Sequence, residues 1–179
     1  MAHNHLEQLV AEWYEYQGYF VKRNAKVGKR PQGGFECELD VVAFHPEDKH
    51  LVQIEPSLDA HSWAIRELRF QKKFDAGRRY IHELYPGLVL PDTIEQIALL
   101  VFAASANHPT LGGGRVLIAG QLIEEIFISL KDKRLESEAI PEQFSILRSF
   151  QYVNQYREYV MRAWSNPTIE GGLLLKESP

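Results

Sequence analysis

Two short alternating segments, FECELDVVAF (35–44) and LVQIEPS (51–57), each carry a carboxylate, Asp40 and Glu55. The turn-rich HPEDKH between them is short enough to make the pair a hairpin. Side chains alternate along a strand, which predicts Cys37, Leu39, Val41 and Ala43 on one side and Glu38, Asp40, Val42 and Phe44 on the other. In the second segment Leu51, Gln53 and Glu55 share a side, opposite Val52 and Ile54. Carboxylates on adjacent strands are a rigid way to present hard oxygen ligands, which suit Mg²⁺ or Mn²⁺. Such an ion offsets the charge of a phosphodiester and makes a water nucleophilic near neutral pH. An acid on an otherwise apolar strand is costly without a partner, so Asp40 is expected to meet a cation: a metal, or an arginine in a plain salt bridge.

The elements that must position these residues are legible from periodicity. Leu6, Leu9, Val10, Trp13 and Tyr14 recur at helical spacing, predicting a helix over His5–Gln17, capped by Asn4 and stopped by Gly18. Tyr19–Val21 opens a short strand, and KVGKRPQGG reads as a flexible loop before the first carboxylate strand. Trp63, Phe70, Phe74, Ile81 and Leu84 form one stripe of a long helix over Ser62–Tyr85, started or capped by Asp59 and ended by Pro86-Gly87. IALLVFAA and RVLIAG are apolar runs of strand length, expected as interior strands buried on both faces. Gln121–Leu130 and Glu142–Trp164 read as helices, and 166–179 as a tail. The order implies an α/β fold, a mixed sheet covered by helices, in one domain over 1–165.

Composition narrows the setting. The chain has 179 residues, 45% of them hydrophobic, enough for one core. Cys37 is the single cysteine, and neither a signal peptide nor a bilayer-length apolar run is present, so a cytoplasmic protein without membrane contact is expected. The net charge of −4 is unevenly spread. Acids crowd 36–59, while Lys22, Arg23, Lys26, Lys29 and Arg30 precede them and Arg66, Arg69, Lys72, Lys73, Arg78 and Arg79 follow. An acidic centre bracketed by cations is the order that a metal site flanked by phosphate contacts requires, and Lys22, Arg23, Lys29, Arg30, Arg66 and Arg69 are the expected backbone contacts. Zinc spacing, a P-loop, a nucleophile elbow and a dinucleotide fingerprint are all absent from the sequence.

Over its first third the chain resembles the PD-(D/E)XK, or restriction-endonuclease-like, nuclease superfamily, and most of all its small Holliday-junction-resolvase-like branch. The matching residues are Glu7 on the first helix, Gly18-Tyr19, Arg23-Asn24 and Glu38-x-Asp40. The pattern then departs, with Gln53-x-Glu55 where the family has Glu-x-Lys. The resemblance implies an αβββαβ core with extra C-terminal helices. It further implies Mg²⁺- or Mn²⁺-dependent hydrolysis of nucleic acid, DNA ahead of RNA, with Asp40, Glu55 and Gln53 as metal ligands and Glu7 assisting. Asn4-x-x-Glu7 fits a capping box equally well. With no lysine at position 55, the resemblance points to a cation migrated onto the next helix, Arg66, Lys72 or Lys73, with Lys73 ahead of Lys72. The alternative is a lapsed site in a protein that binds nucleic acid or a protein partner without cutting. A homodimer formed through Phe150, Tyr152, Tyr156 and Tyr159 is a further expectation, beside their use as internal core.

Overall fold

The computed structural model describes residues 4–102 and 108–165. The expected tail over 166–179, the end of the expected strand at Ala103-Ala104, and His3 lie outside the described residues. The chain divides into two compact units, 1–126 and 127–179.

In the first unit, Asn4 caps helix α1 (His5–Tyr16) as expected, its Oδ1 accepting from the Leu6 N–H at 3.1 Å. Gly18, at φ 93°, turns the chain out of the helix into β1. β1 (Phe20–Lys29) is far longer than the short strand expected at Tyr19–Val21. The loop read into KVGKRPQGG shrinks to residues 30–34, because Lys26 and Val27 pair with Glu38 and Cys37 in the sheet. Cross-strand pairing overrides the local loop chemistry there. β2 (Phe35–His45) and β3 (His50–Ser57) form the expected antiparallel hairpin, with Val41 opposite Ile54 and Val42 opposite Gln53.

Helix α2 (Trp63–Tyr80) passes into a 3₁₀ turn over Ile81–Leu84 instead of running on to Tyr85. Its N-cap is Ser62, which makes no side-chain cap bond, so the role expected of Asp59 is not filled. β4 (Glu95–Leu100), β5 (Thr110–Leu111) and β6 (Gly114–Ile118) complete a six-stranded mixed sheet in the order β1-β2-β3-β4-β6-β5. β3, β4 and β6 run parallel; the other pairings are antiparallel. Both apolar runs supply interior strands, as the all-hydrophobic pattern predicted. α3 (Ala119–Leu130) follows β6 directly.

One face of the sheet packs Val42, Phe44 and Leu51 with Ala76 of α2 and Ile81, and further along Ala98, Leu100 and Val116 with Phe70 and Phe74. The residues of opposite parity, Val41, Ala43, Val52 and Ile54, are equally buried, and α1 packs on β1–β3. Helices therefore flank the sheet. The simple alternation expected along β2 breaks at Asp40. Cys37 and Leu39 join the cluster of Val42 and Phe44 instead of lying opposite them. The change of phase falls beside Asn24 of β1, whose φ of 50° is left-handed and twists the ribbon sharply.

The second unit contains α4 (Ser145–Gln155) and α5 (Arg157–Ser165), so the single helix expected over Glu142–Trp164 starts later and is interrupted at Tyr156. Buried Gln151 ties the preceding loop to α4. It accepts from the Ile140 N–H and donates to the carbonyls of Lys133 and Glu138. Among the described residues, no helix is long and apolar enough to cross a membrane.

A candidate carboxylate-lysine centre on the sheet

Asp40 and Glu55 lie on the same side of the β2–β3 hairpin, the side covered by α2. The Asp40 N–H points to Glu55 Oε2 at 3.4 Å, and Lys73 of α2 reaches both side chains. Its Nζ lies 2.6 Å from Asp40 Oδ1 and 2.5 Å from Glu55 Oε2. The side chains differ sharply in exposure: Glu55 1%, Asp40 15% and Lys73 30%. The result is a cation held between two carboxylates at the floor of a small cleft of about 60 Å³, bordered by Pro56, Ser57, Arg69 and Phe70.

Burial pushes the Glu55 carboxyl up to about 8, with the Lys73 charge pulling the other way. Burial also works against the charge on Lys73, but Glu55 and Asp40 outweigh it and hold the ammonium above its ordinary value. Glu7 is raised as well, first by burial, with the Asn4 hydrogen bond opposing and the charge of Asp40 adding. Its partner is Asn4, whose Nδ2 donates to Glu7 Oε1 at 2.7 Å. Glu7 is thus bound within the helix cap and still lies within the field of Asp40 and Lys73.

Gln53 is fully buried and its amide is spoken for at both ends. Nε2 donates to Glu55 Oε1 at 2.8 Å and to the Lys73 carbonyl at 3.1 Å, while Oε1 accepts from Gln96 Nε2 at 2.8 Å. Gln96 donates in turn to the Phe74 carbonyl and accepts from Arg78. Only an amide nitrogen can face two acceptors, so the orientation of Gln53 is dictated by its partners. Its oxygen is turned to Gln96, away from Asp40, and this corrects its expected place among the metal ligands: it positions Glu55. Sequence reading missed Gln96 altogether. The only available signal was a polar residue inside the run EQIALL, where a buried amide needs partners.

The expected backbone contacts divide. Lys22, Arg23, Lys29 and Arg30 are exposed, Arg23 lying 3.6 Å from Glu15. Arg69 is exposed at the rim of the cleft and is tied to Asp59 at 2.8 Å. Arg66 is a correction: only 4% exposed, it donates to the Asp59 carboxylate and carbonyl and to the Phe102 carbonyl. It cannot reach a ligand, and it serves instead to fix the loop after β3. Asp59 is the hub of that loop, also binding the Ser57 hydroxyl and the His61 N–H. Burial works against its charge, but these donors outweigh burial and hold its carboxyl below the ordinary value. His61 is exposed, with its backbone alone engaged by Asp59.

No cluster of three or more His, Cys, Asp or Glu side chains suited to a metal is present among the described residues. The donor set at the centre is two carboxylates converging on one cation. That matches the oxygen donors of a hard divalent ion, which takes one or two carboxylates with water completing its shell. In comparisons with known proteins, no family model matches the chain and no curated protein matches it.

Proposed function

We propose that the chain is a Mg²⁺- or Mn²⁺-dependent endonuclease that hydrolyses phosphodiester bonds in DNA, a variant of the restriction-endonuclease-like nucleases with an αβββαβ core. The observation that carries this reading is the convergence of Asp40 Oδ1 and Glu55 Oε2 on one point, the Lys73 ammonium. Two carboxylates and a lysine meet from two adjacent strands and the following helix. The lysine arrives from the helix because position 55 holds an acid.

Asp40 and Glu55 are the residues that would hold the ion, which when bound supplies charge neutralisation and a more acidic water. Each side chain has a definite part. Glu55, raised by burial, would give up its proton near neutral pH on taking up the ion. Lys73, a third exposed, swings on a flexible stem from the carboxylates towards a phosphate oxygen in the cleft, where its charge stabilises the developing anion. Gln53 and Gln96 hold Glu55 in one orientation. Arg69, at the rim, is placed for a phosphate.

A second reading is supported by the same contact. Lys73 already offsets both carboxylates, as expected in a lapsed site that binds nucleic acid without cutting it. Cleavage separates the two. Plasmid or branched DNA incubated with the protein and Mg²⁺ or Mn²⁺ is expected to be nicked, chelator is expected to stop the reaction, and Asp40→Ala to abolish it. Intact substrate after prolonged incubation of the wild type with either ion overturns the nuclease reading.

A further inference from the structure

Beside the centre runs a groove of about 590 Å³, walled on one side by the β1–β2 hairpin and on the other by α2. Lys26 and Phe35 come from the hairpin, and Arg69, Lys72 and Lys73 from the helix. Lys73 and Arg69 line both this groove and the cleft of Asp40 and Glu55, so the two spaces adjoin. Lys26 and Lys72 are exposed and make no ion pair among the described residues. Phe35 stands at the head of β2 with 43% of its surface exposed and belongs to neither core cluster on this face. The glycine turn leading to it is open, since a Cβ at Gly33 or Gly34 would meet nothing within 4 Å.

Each feature alone is ordinary; together they describe a binding track. Two unpaired cations, one on each wall, suit a phosphodiester backbone, and an exposed aromatic ring lining the same groove offers a stacking surface. A base can use that ring only when its own face is uncovered. In a duplex the neighbouring base pairs cover it, so the ring serves an unpaired base. Glu38 and the Glu36 carboxylate, the latter 3.3 Å from Arg79, line the same groove and are acceptors suited to the amino groups of an exposed base edge.

We propose that this groove binds a single-stranded nucleic-acid segment, with Phe35 stacked on a base and Lys26 and Lys72 on flanking phosphates, delivering the strand to Asp40, Glu55 and Lys73. The inference rests on the nuclease reading for what happens at the end of the track, and makes the substrate a single strand or a junction from which one departs.

Fluorescence anisotropy in chelator, where no strand is cut, tests it with labelled oligo(dT), oligo(rU) and a duplex of equal length. One of the single strands is expected to bind more tightly than the duplex, and the tighter of the two identifies the sugar. Phe35→Ala should weaken that single strand roughly tenfold and leave the duplex unchanged. Lys26→Glu combined with Lys72→Glu should weaken it further, with unaltered thermal melting showing that both variants fold. Duplex binding as tight as either single strand overturns the inference, as does a folded Phe35→Ala that binds like the wild type. The outcomes remain separable from those of the parent reading. Nicking of duplex with no effect of Phe35→Ala keeps the nuclease and removes the track, whereas Phe35-dependent binding without any cleavage keeps the track and removes the nuclease.

Discussion

Glu55→Gln is expected to reduce metal-dependent cleavage roughly a thousand-fold while leaving the protein folded and removing the loss of stability that the wild type shows as pH rises. The loss follows from removing one of the two carboxylates that face the Lys73 cation and would hold the ion. The change in pH dependence follows from linkage. The folded-state carboxyl is raised above its unfolded value, so its contribution to stability is complete below about pH 4.5 and is lost as pH rises through about 8. Across that window the unfolded chain has released a proton that the native state retains, and stability falls with increasing pH. Glutamine does not titrate, so this decline is absent in the variant.

The amide oxygen can still accept from Gln53, whereas the amide nitrogen takes the place of the oxygen that accepts from Lys73 and faces the Asp40 N–H, so both of those bonds are lost. Lys73 keeps Asp40. Thermal melting from pH 5 to 9 should show the wild type losing stability as pH rises and the variant keeping a flatter profile, because the wild type alone must ionise a buried carboxyl across that range. A variant whose stability falls as steeply as that of the wild type between pH 5 and 9 contradicts the account of Glu55 as a carboxylate ionised at a cost in stability.

The second large effect is expected at Gly77, in the last turn of α2. Alanine there ordinarily favours a helix, yet an added Cβ would lie 1.8 Å from Gln53 Oε1 and 2.6 Å from its Cδ. Gln53 is fully buried and bonded to Glu55, Gln96 and the Lys73 carbonyl, so it cannot yield without leaving polar atoms unpaired. Overpacking and broken hydrogen bonds together predict a loss of about 3 kcal/mol in urea denaturation, and cleavage should fall as well because Glu55 loses the group that orients it. Gln53→Ala supplies the control. In that background the clash is gone, and Gly77→Ala should cost almost nothing, a non-additivity expected of residues in direct contact. Equal penalties in both backgrounds would show that the helix, and not the amide network, requires the glycine.

These effects trace what the sequence could and could not disclose. The meeting of Asp40 and Glu55 was legible because a short turn between two strand-length runs pairs them across a hairpin, and that inference is local, although the phase of β2 shifts beside Asp40. Lys73 was narrowed to the next helix, but its selection over Lys72 depends on the angle at which α2 crosses the sheet, which periodicity does not encode. Arg66 shows the converse. As a charge near a helix start it read as a surface contact, and only the fold of the loop after β3 places three acceptors around it. β1 was underestimated because KVGK carries loop chemistry, while its pairing with Glu38 and Cys37 is settled across the hairpin. The amide relay was invisible for a related reason: Gln53 and Gln96 sit on different strands, and nothing along the chain records that β3 and β4 lie side by side.

The central claim is that Asp40 and Glu55 form one cation site shared with Lys73, and isothermal titration of the protein with Mn²⁺ tests it most directly. The account predicts a single site whose affinity rises about tenfold per pH unit between pH 6 and 8, as Glu55 gives up its proton to bind, and which Asp40→Asn removes. No heat of binding at pH 8, or a site that survives Asp40→Asn undiminished, contradicts it.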